Sequence, residues 1–228
     1  MELELHHLTE VRGETWLSWQ KLLSDDERAR SQRYRNESSR QAFIAGRALI
    51  RQRLGQLLDL PPEKVPIGMD THGKPFVKHY EGVLQFNLSH GGDWLLLVWH
   101  QGPEAVGADI EPYRSDYFYA DIAGRYFSEN EQRLISNARE FFALWTQKES
   151  LLKAWGTGLL DELRNLDLSS SHNEVRVVHP IMDSLRGRTF YLTTFHANEW
   201  VCSVATELPE VPRLAGADKT ERKLVVVA

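Results

Sequence analysis

Two stretches of the chain supply carboxylates and a third supplies a polar strand end, a combination able to handle a hard cation together with phosphate. The first stretch is Gly107-Ala108-Asp109-Ile110-Glu111. Residues two apart on a strand project from one face, about 6.5 Å apart at Cα, so Asp109 and Glu111 can share a single divalent ion. Pro112 cannot donate to a sheet ladder and is expected to end the strand there, leaving both acids at its reachable end. The second stretch runs from Trp145 to Gly156. Trp145, Glu149 and Lys153 stand four apart on one helical face, with Leu144, Leu151, Leu152 and Trp155 supplying burial. An ordinary surface Glu–Lys pair is the plain alternative. The flanking tryptophans favour a covered surface, where Glu149 would add a third carboxylate to the ion. The third stretch, Asn87-Leu88-Ser89-His90-Gly91-Gly92, reads as a strand running into a glycine turn. At its end a hydroxyl, an imidazole and exposed backbone N–H groups can meet a phosphate. Such a set suits chemistry on a pyrophosphate-containing substrate.

Other chemistries fit less well. Ser89 lacks the Gly-x-Ser-x-Gly elbow of a serine nucleophile, and no helix follows it. The histidines are scattered, without a His-Glu-x-x-His pattern, which disfavours zinc. One cysteine, Cys202, excludes an intramolecular disulfide. The 228 residues carry a net charge of −5, so no footprint of generic nucleic-acid binding is present. Charge is nonetheless uneven: from Lys21 to Arg53 nine basic residues face four acidic ones, a surface suited to a polyanion or an acidic partner. Apolar runs such as Trp94 to Trp99 fall well short of the roughly 20 residues that span a bilayer, and the start at Glu2 to His7 has no signal-peptide layout. The expectation is a cytoplasmic protein without membrane or nucleic-acid partners.

These residues must be positioned by elements, and the elements repeat. Ser24-Asp25-Asp26-Glu27 and Ser128-Glu129-Asn130-Glu131 both have the form of a capping box. Each is followed by a longer helical segment, Arg40 to Leu54 and Glu140 to Trp155, expected to end at Gly55 and Gly156. Strands are expected at Val83–Ser89, Trp94–Trp99 and Ala105–Ile110, then at Leu166–Leu168, Glu174–Val178, Thr189–Phe195 and Val201–Thr206. Pro61-Pro62 reads as a turn or the start of a helix. The fold class is therefore α+β: two similar α+β subdomains in a pseudo-twofold arrangement, residues 1–108 and 109–228, with a polar tail from about 207.

From Ser24 to Thr206 the chain resembles the Sfp-type 4′-phosphopantetheinyl transferases, through Gly73-Lys74-Pro75, Asn87-Leu88-Ser89-His90, the Gly-x-Asp-x-Glu strand at Gly107 to Glu111 and the Trp-x-x-Lys-Glu-(x)3-Lys-(x)2-Gly helix at Trp145 to Gly156. Ala45-Gly46-Arg47 fits as well. The resemblance implies a monomer with its coenzyme A site between the halves, and Mg²⁺ (Mn²⁺ as the alternative) held by Asp109, Glu111 and Glu149. It implies that Arg47, Lys74, Ser89, His90 and Lys153 bind the phosphates, and that Glu149 and Lys153 are catalytic, Glu149 as base, as ligand or as both. The implied reaction moves the phosphopantetheine arm of coenzyme A to a serine of an apo acyl or peptidyl carrier protein, as used in fatty acid, polyketide or nonribosomal peptide synthesis, and releases 3′,5′-ADP. Some relatives carry a basic residue where this chain has Glu27, so no phosphate contact is expected there, and Arg30 is carried over only weakly. Two other classes compete: a non-catalytic adaptor for carriers or nucleotides, and a Mg²⁺-dependent phosphohydrolase or nuclease.

Overall fold

The computed structural model describes residues 1–158, 161–169, 174–176, 187–214 and 225–227. Its first half contains β1 (Glu2–His7), α1 (Gly13–Leu22), α2 (Asp25–Ser31), α3 (Glu37–Leu58), β2 (Ile67–Met69), β3 (Pro75–Val77), β4 (Leu84–Gly91) and β5 (Trp94–Gln101). The second contains β6 (Val106–Pro112), α4 (Ala120–Tyr126), α5 (Glu129–Leu134), α6 (Ala138–Trp155), β7 (Glu174–Arg176), β8 (Thr189–His196), β9 (Trp200–Thr206), β10 (Arg213–Leu214) and β11 (Val225–Val227).

The repeat is structural. In the first half β5 lies between β1 and β4, antiparallel to both; in the second β9 lies in the same way between β6 and β8. Both expected capping boxes form, at Ser24/Glu27 before α2 and at Ser128/Glu131 before α5. The long helices α3 and α6 are each capped by an asparagine, Asn36 and Asn137, whose side chain accepts an early backbone N–H. Each sheet gains strands at its far side: β10 runs parallel to β1, while β7 and β11 pair with different stretches of β8.

Alternation along β5 explains the layering. Leu95, Leu97 and Trp99 pack on α3, whereas Trp94, Leu96 and Val98 face Val106, Ala108, Ile110, Trp200, Cys202 and Val204 of the other sheet. A strand buried on both faces reads as a continuous apolar run, as Trp94 to Trp99 does. On the outer side of the second sheet, Leu151, Leu152 and Trp155 of α6 meet Phe190, Leu192 and Ala205. The order of layers is helix, sheet, sheet, helix.

Several boundaries differ from expectation. Helix α3 continues past Gly55 to Leu58 and ends at Asp59, which is left-handed at φ 53°. Gly55 serves the returning chain instead, since a Cβ there would lie 2.8 Å from the Leu60 carbonyl oxygen. Leu166–Leu168 is not a strand but an irregular segment after a 3-10 turn, with the Leu168 N–H held by Glu131 Oε1 at 3.0 Å. Of the strand expected at Glu174–Val178, residues 174–176 form β7 and 177–178 lie outside the described residues. The division expected at 108/109 cuts through β6, whose register with β9 runs unbroken from Val106 to Pro112. Beyond 207 the described residues are not simply a polar tail, because β10 and β11 add to the two sheets. Pro62 does begin a 3-10 turn.

One polar contact sits deep in the second half. Lys148 and Glu131 are both fully buried, their charges 2.7 Å apart. The ammonium also donates to the Tyr126 and Leu163 carbonyl oxygens at 2.9 and 3.1 Å, while Glu131 closes its capping box. Burial pushes the Lys148 pKa down and the Glu131 charge opposes this. A buried pair cut in half leaves an uncompensated charge, so Lys148→Met is expected to destabilise the fold by about 3–5 kcal/mol. Glu131→Leu combined with Lys148→Met should recover much of that loss. Urea unfolding of the single and double variants measures both, and equal losses in the two would count against the pair as the cause.

Candidate active site

The two sheets meet along β4 and β6, and they do so through side chains. Asn87 and Ser89, two apart on β4, point together towards the other sheet. Asn87 Oδ1 accepts the Ala108 N–H at 2.9 Å and Ser89 Oγ accepts the Ile110 N–H at 3.3 Å. Two amides of β6 on the side away from β9 are thereby satisfied without a backbone ladder. Gly91 makes the approach feasible, for a Cβ there would lie 2.2 Å from the Ile110 carbonyl oxygen.

Ser89 is also the first link to the acids. Its hydroxyl donates to Asp109 Oδ1 at 2.9 Å. Lys153, reaching in from α6, donates to Asp109 Oδ1 at 2.5 Å and to Ser89 Oγ at 2.9 Å. The lysine therefore pairs across elements rather than serving only as the i,i+4 partner of Glu149. Helix α6 can lie this close because Gly107 has no side chain: a Cβ would stand 2.1 Å from Ser150 O and 2.2 Å from Ala154 N. Asp109 is 5 % exposed, and its Oδ2 is buried without a hydrogen-bond partner. Such an oxygen is costly unless something binds it.

Electrostatics bring Glu111 and Glu149 into the same field. Burial, then the charge of Asp109, push the Glu111 carboxyl up to about 7, with a smaller push from Glu149 and an opposing pull from Arg114 and Lys153. Glu149 is raised by burial and by Asp109, and held back by Lys153. Arg114 lies 3.3 Å from Glu111. His90 is pushed down by burial and then by the Lys153 cation, with Asp109 acting the other way. Among the described residues no three His, Cys, Asp or Glu side chains form a ready-made metal cluster. The donor set of Asp109, Glu111 and Glu149 still fits a hard cation: oxygen ligands only, one of them unpartnered, and two acids that burial keeps from ionising freely.

Arg47 and Lys74, also expected at the site, are engaged in other contacts. Arg47, on α3, stacks on Phe43 at 5.4 Å, reaches Met69 Sδ at 3.2 Å and has Glu27 at 3.7 Å; its Nη1 is buried without a partner. Burial pushes its pKa down, with Glu27 opposing. Glu27 also holds Arg51 at 2.9 Å, which explains an acid in this basic segment. The ammonium of Lys74 is given to two backbone carbonyl oxygens, Val106 at 3.0 Å and Lys153 at 2.6 Å. The roles of Asn87 and of Lys148 were not recognised from sequence. Asn87 was discoverable from its spacing to Ser89, whereas Lys148, inside the quoted helix motif, differs from exposed lysines only by what surrounds it. A cavity of about 720 Å³, lined by Glu4, His6, Arg53 and Asp59 among others, contains none of the site residues.

Residues 105–205 match the 4′-phosphopantetheinyl transferase superfamily, and residues 10–101 match the N-terminal region of a 4′-phosphopantetheinyl transferase family. A phosphopantetheinyl transferase of Thraustochytrium sp. is 32% identical over 155 residues, covering 60% of this chain and 54% of that protein. The 4′-phosphopantetheinyl transferase HetI of Nostoc sp. is 32% identical over 160 residues, 67% of each chain. Sfp of Bacillus subtilis is 24% identical over 213 residues, covering 89% of this chain and 90% of Sfp. The chain thus spans about half the length of the first of these relatives and nine tenths of the last. It belongs to the 4′-phosphopantetheinyl transferase superfamily. No helix among the described residues is long and apolar enough to cross a membrane.

The seat of α6 on β6 can be tested at Gly107. Overpacking a close contact costs about 1–3 kcal/mol, and Gly107→Ala is expected to lose at least that, because backbone rather than a flexible side chain blocks the methyl. Chemical denaturation measures the loss. A wild-type midpoint would mean that helix and strand are not in direct contact here.

Proposed function

We propose that the chain transfers the 4′-phosphopantetheine arm of coenzyme A to a serine hydroxyl of an apo acyl or peptidyl carrier protein. The carrying observation is the cluster of Ser89, Asp109 and Lys153 where β4, β6 and α6 meet, with an unpartnered Asp109 oxygen and with Glu111 and Glu149 in the same electrostatic field. Asp109, Glu111 and Glu149 would hold Mg²⁺, or Mn²⁺ in its place. When bound, the ion supplies positive charge to the pyrophosphate and to the leaving phosphate. Lys153 stabilises the same developing charge from the α6 side, and His90 and Arg47 donate to the phosphates, while the Ser89 hydroxyl, already given to Asp109 Oδ1, holds that acid beside them.

In the transfer, the carrier serine oxygen bonds to the phosphorus that bears the pantetheine arm. The bond from that phosphorus to the bridging oxygen breaks, and 3′,5′-ADP leaves with the electron pair. Glu149 accepts the serine proton, and its roles as base and as ligand are separable by substitution. The first half brings Ser89, His90 and Arg47; the second brings the acids and Lys153. The proposed division between halves is the 102–105 turn rather than 108/109. Coenzyme A and an apo carrier are the proposed partners, met by a monomer in the cytoplasm.

Incubation with coenzyme A, Mg²⁺ and an apo carrier, followed by weighing the carrier, tests the reading. A gain of one phosphopantetheine mass supports it. Coenzyme breakdown without mass gain would replace it with a hydrolase, and neither event with a binding adaptor. Asp109→Ala is expected to abolish transfer, and near-normal turnover in that variant at saturating Mg²⁺ would remove Asp109 from the site. Glu149→Gln should lower turnover by about 10²–10⁴ with coenzyme binding nearly intact if it is mainly the base. Partial rescue by excess Mg²⁺ would instead mark it as chiefly a ligand.

A further inference from the structure

The tip of the β2–β3 hairpin belongs to the first half but closes on the second. Within the tip, Asp70 Oδ1 accepts the His72 and Lys74 N–H groups at 2.9 and 2.8 Å, and the Asp70 N–H donates to Lys74 O at 2.9 Å. Gly73, at φ 83°, completes the turn. The turn is thus held by its own hydrogen bonds before it meets anything else. Across the boundary, a Cβ on Gly156, the left-handed cap of α6, would come within 3.8 Å of Asp70 Oδ2.

Lys74 extends from this turn to two carbonyl oxygens that the second half leaves open. Lys153 O belongs to the last turn of α6, where carbonyls lack helical partners and the helix dipole favours a cation. The Gly156 and Thr157 N–H groups both go to Leu152 O, so the Lys153 oxygen is met by the Lys74 ammonium at 2.6 Å. The second acceptor, Val106 O, opens the strand that carries Asp109 three residues later. One ammonium therefore ties together the backbone of Lys153 and the strand of Asp109, the two residues whose side chains pair at 2.5 Å.

We propose that Lys74 is a positioning residue, a clasp from the first half that fixes α6 against β6 and so sets the Asp109–Lys153 pair, rather than a ligand of the coenzyme phosphates. Burial lowers its pKa to about 8, in keeping with an ammonium committed to protein carbonyls. The clasp follows from the hydrogen bonds themselves; its effect on turnover rests on the transferase reading above.

Lys74→Met retains the stem and removes the donors. Displacing a catalytic group by about 1 Å can cost 10²-fold, so kcat is expected to fall by about ten- to a hundredfold while KM for coenzyme A stays within about twofold. A second readout needs no activity: acetylation of native protein by acetic anhydride, with Lys153 quantified by peptide mass spectrometry. Freed from a fixed partner, Lys153 should label several-fold faster in Lys74→Met than in wild type. Asp70→Ala, which loosens the turn and leaves the ammonium in place, should raise Lys153 labelling in the same direction, and it decides the matter if Lys74→Met does not fold. A raised KM for coenzyme A with unchanged kcat and unchanged Lys153 labelling would overturn the proposal and make Lys74 a phosphate ligand. If wild-type protein modifies no carrier, the transferase reading fails and the labelling alone decides the clasp.

Discussion

Asp109 is the point at which the two halves and the chemistry coincide. One oxygen of its carboxylate accepts from Ser89 of the first half and from Lys153 of the second, and the other is buried with no partner. In a low-dielectric setting a charge held this way is anchored strongly on one side and underserved on the other. The engaged oxygen fixes where the sheets meet. The bare oxygen leaves that meeting place with an acceptor that the protein itself does not satisfy.

The geometry around it is permitted by missing side chains. Gly91 lets β4 approach the backbone of β6 from one side, and Gly107 lets α6 approach from the other. Neither glycine has a positive φ, so their contribution is closeness rather than conformational freedom. Burial first, and then repulsion from Asp109 that Lys153 and Arg114 only partly offset, raise the carboxyl of Glu111 well above the usual carboxylate range, and burial and Asp109 raise Glu149 in the same direction. The proposed divalent ion would offset this repulsion.

Stability is placed apart from this cluster. The Glu131–Lys148 pair joins α5 to α6 with every visible charge matched, and an aromatic group of Phe127, Phe141 and Trp145 packs around the same helix. In the first half Glu27 plays a comparable part for Arg51. Helix α6 is thus anchored along one face by fully compensated contacts, which leaves Lys153 near its end to serve the cluster.

Local pattern made much of this legible. Capping boxes, the left-handed Gly156 and the strands β4 and β5 are short-range consequences of side-chain chemistry, and these appear close to where the sequence places them. The strand placing Asp109 beside Glu111 and the helix placing Glu149 above Lys153 are equally local. What sequence could not decide was partnership across distance. That Lys153 joins Asp109 and Ser89, that Lys148 is buried while its neighbour Glu149 is only half-buried, that Gly55 accommodates Leu60 instead of ending α3, and that Lys74 bonds to the end of α6 all depend on surfaces brought together by packing. A lysine and a carboxylate look the same in a sequence whether they face water, a phosphate or each other; only the tertiary structure sets the dielectric and the neighbour that give each its role.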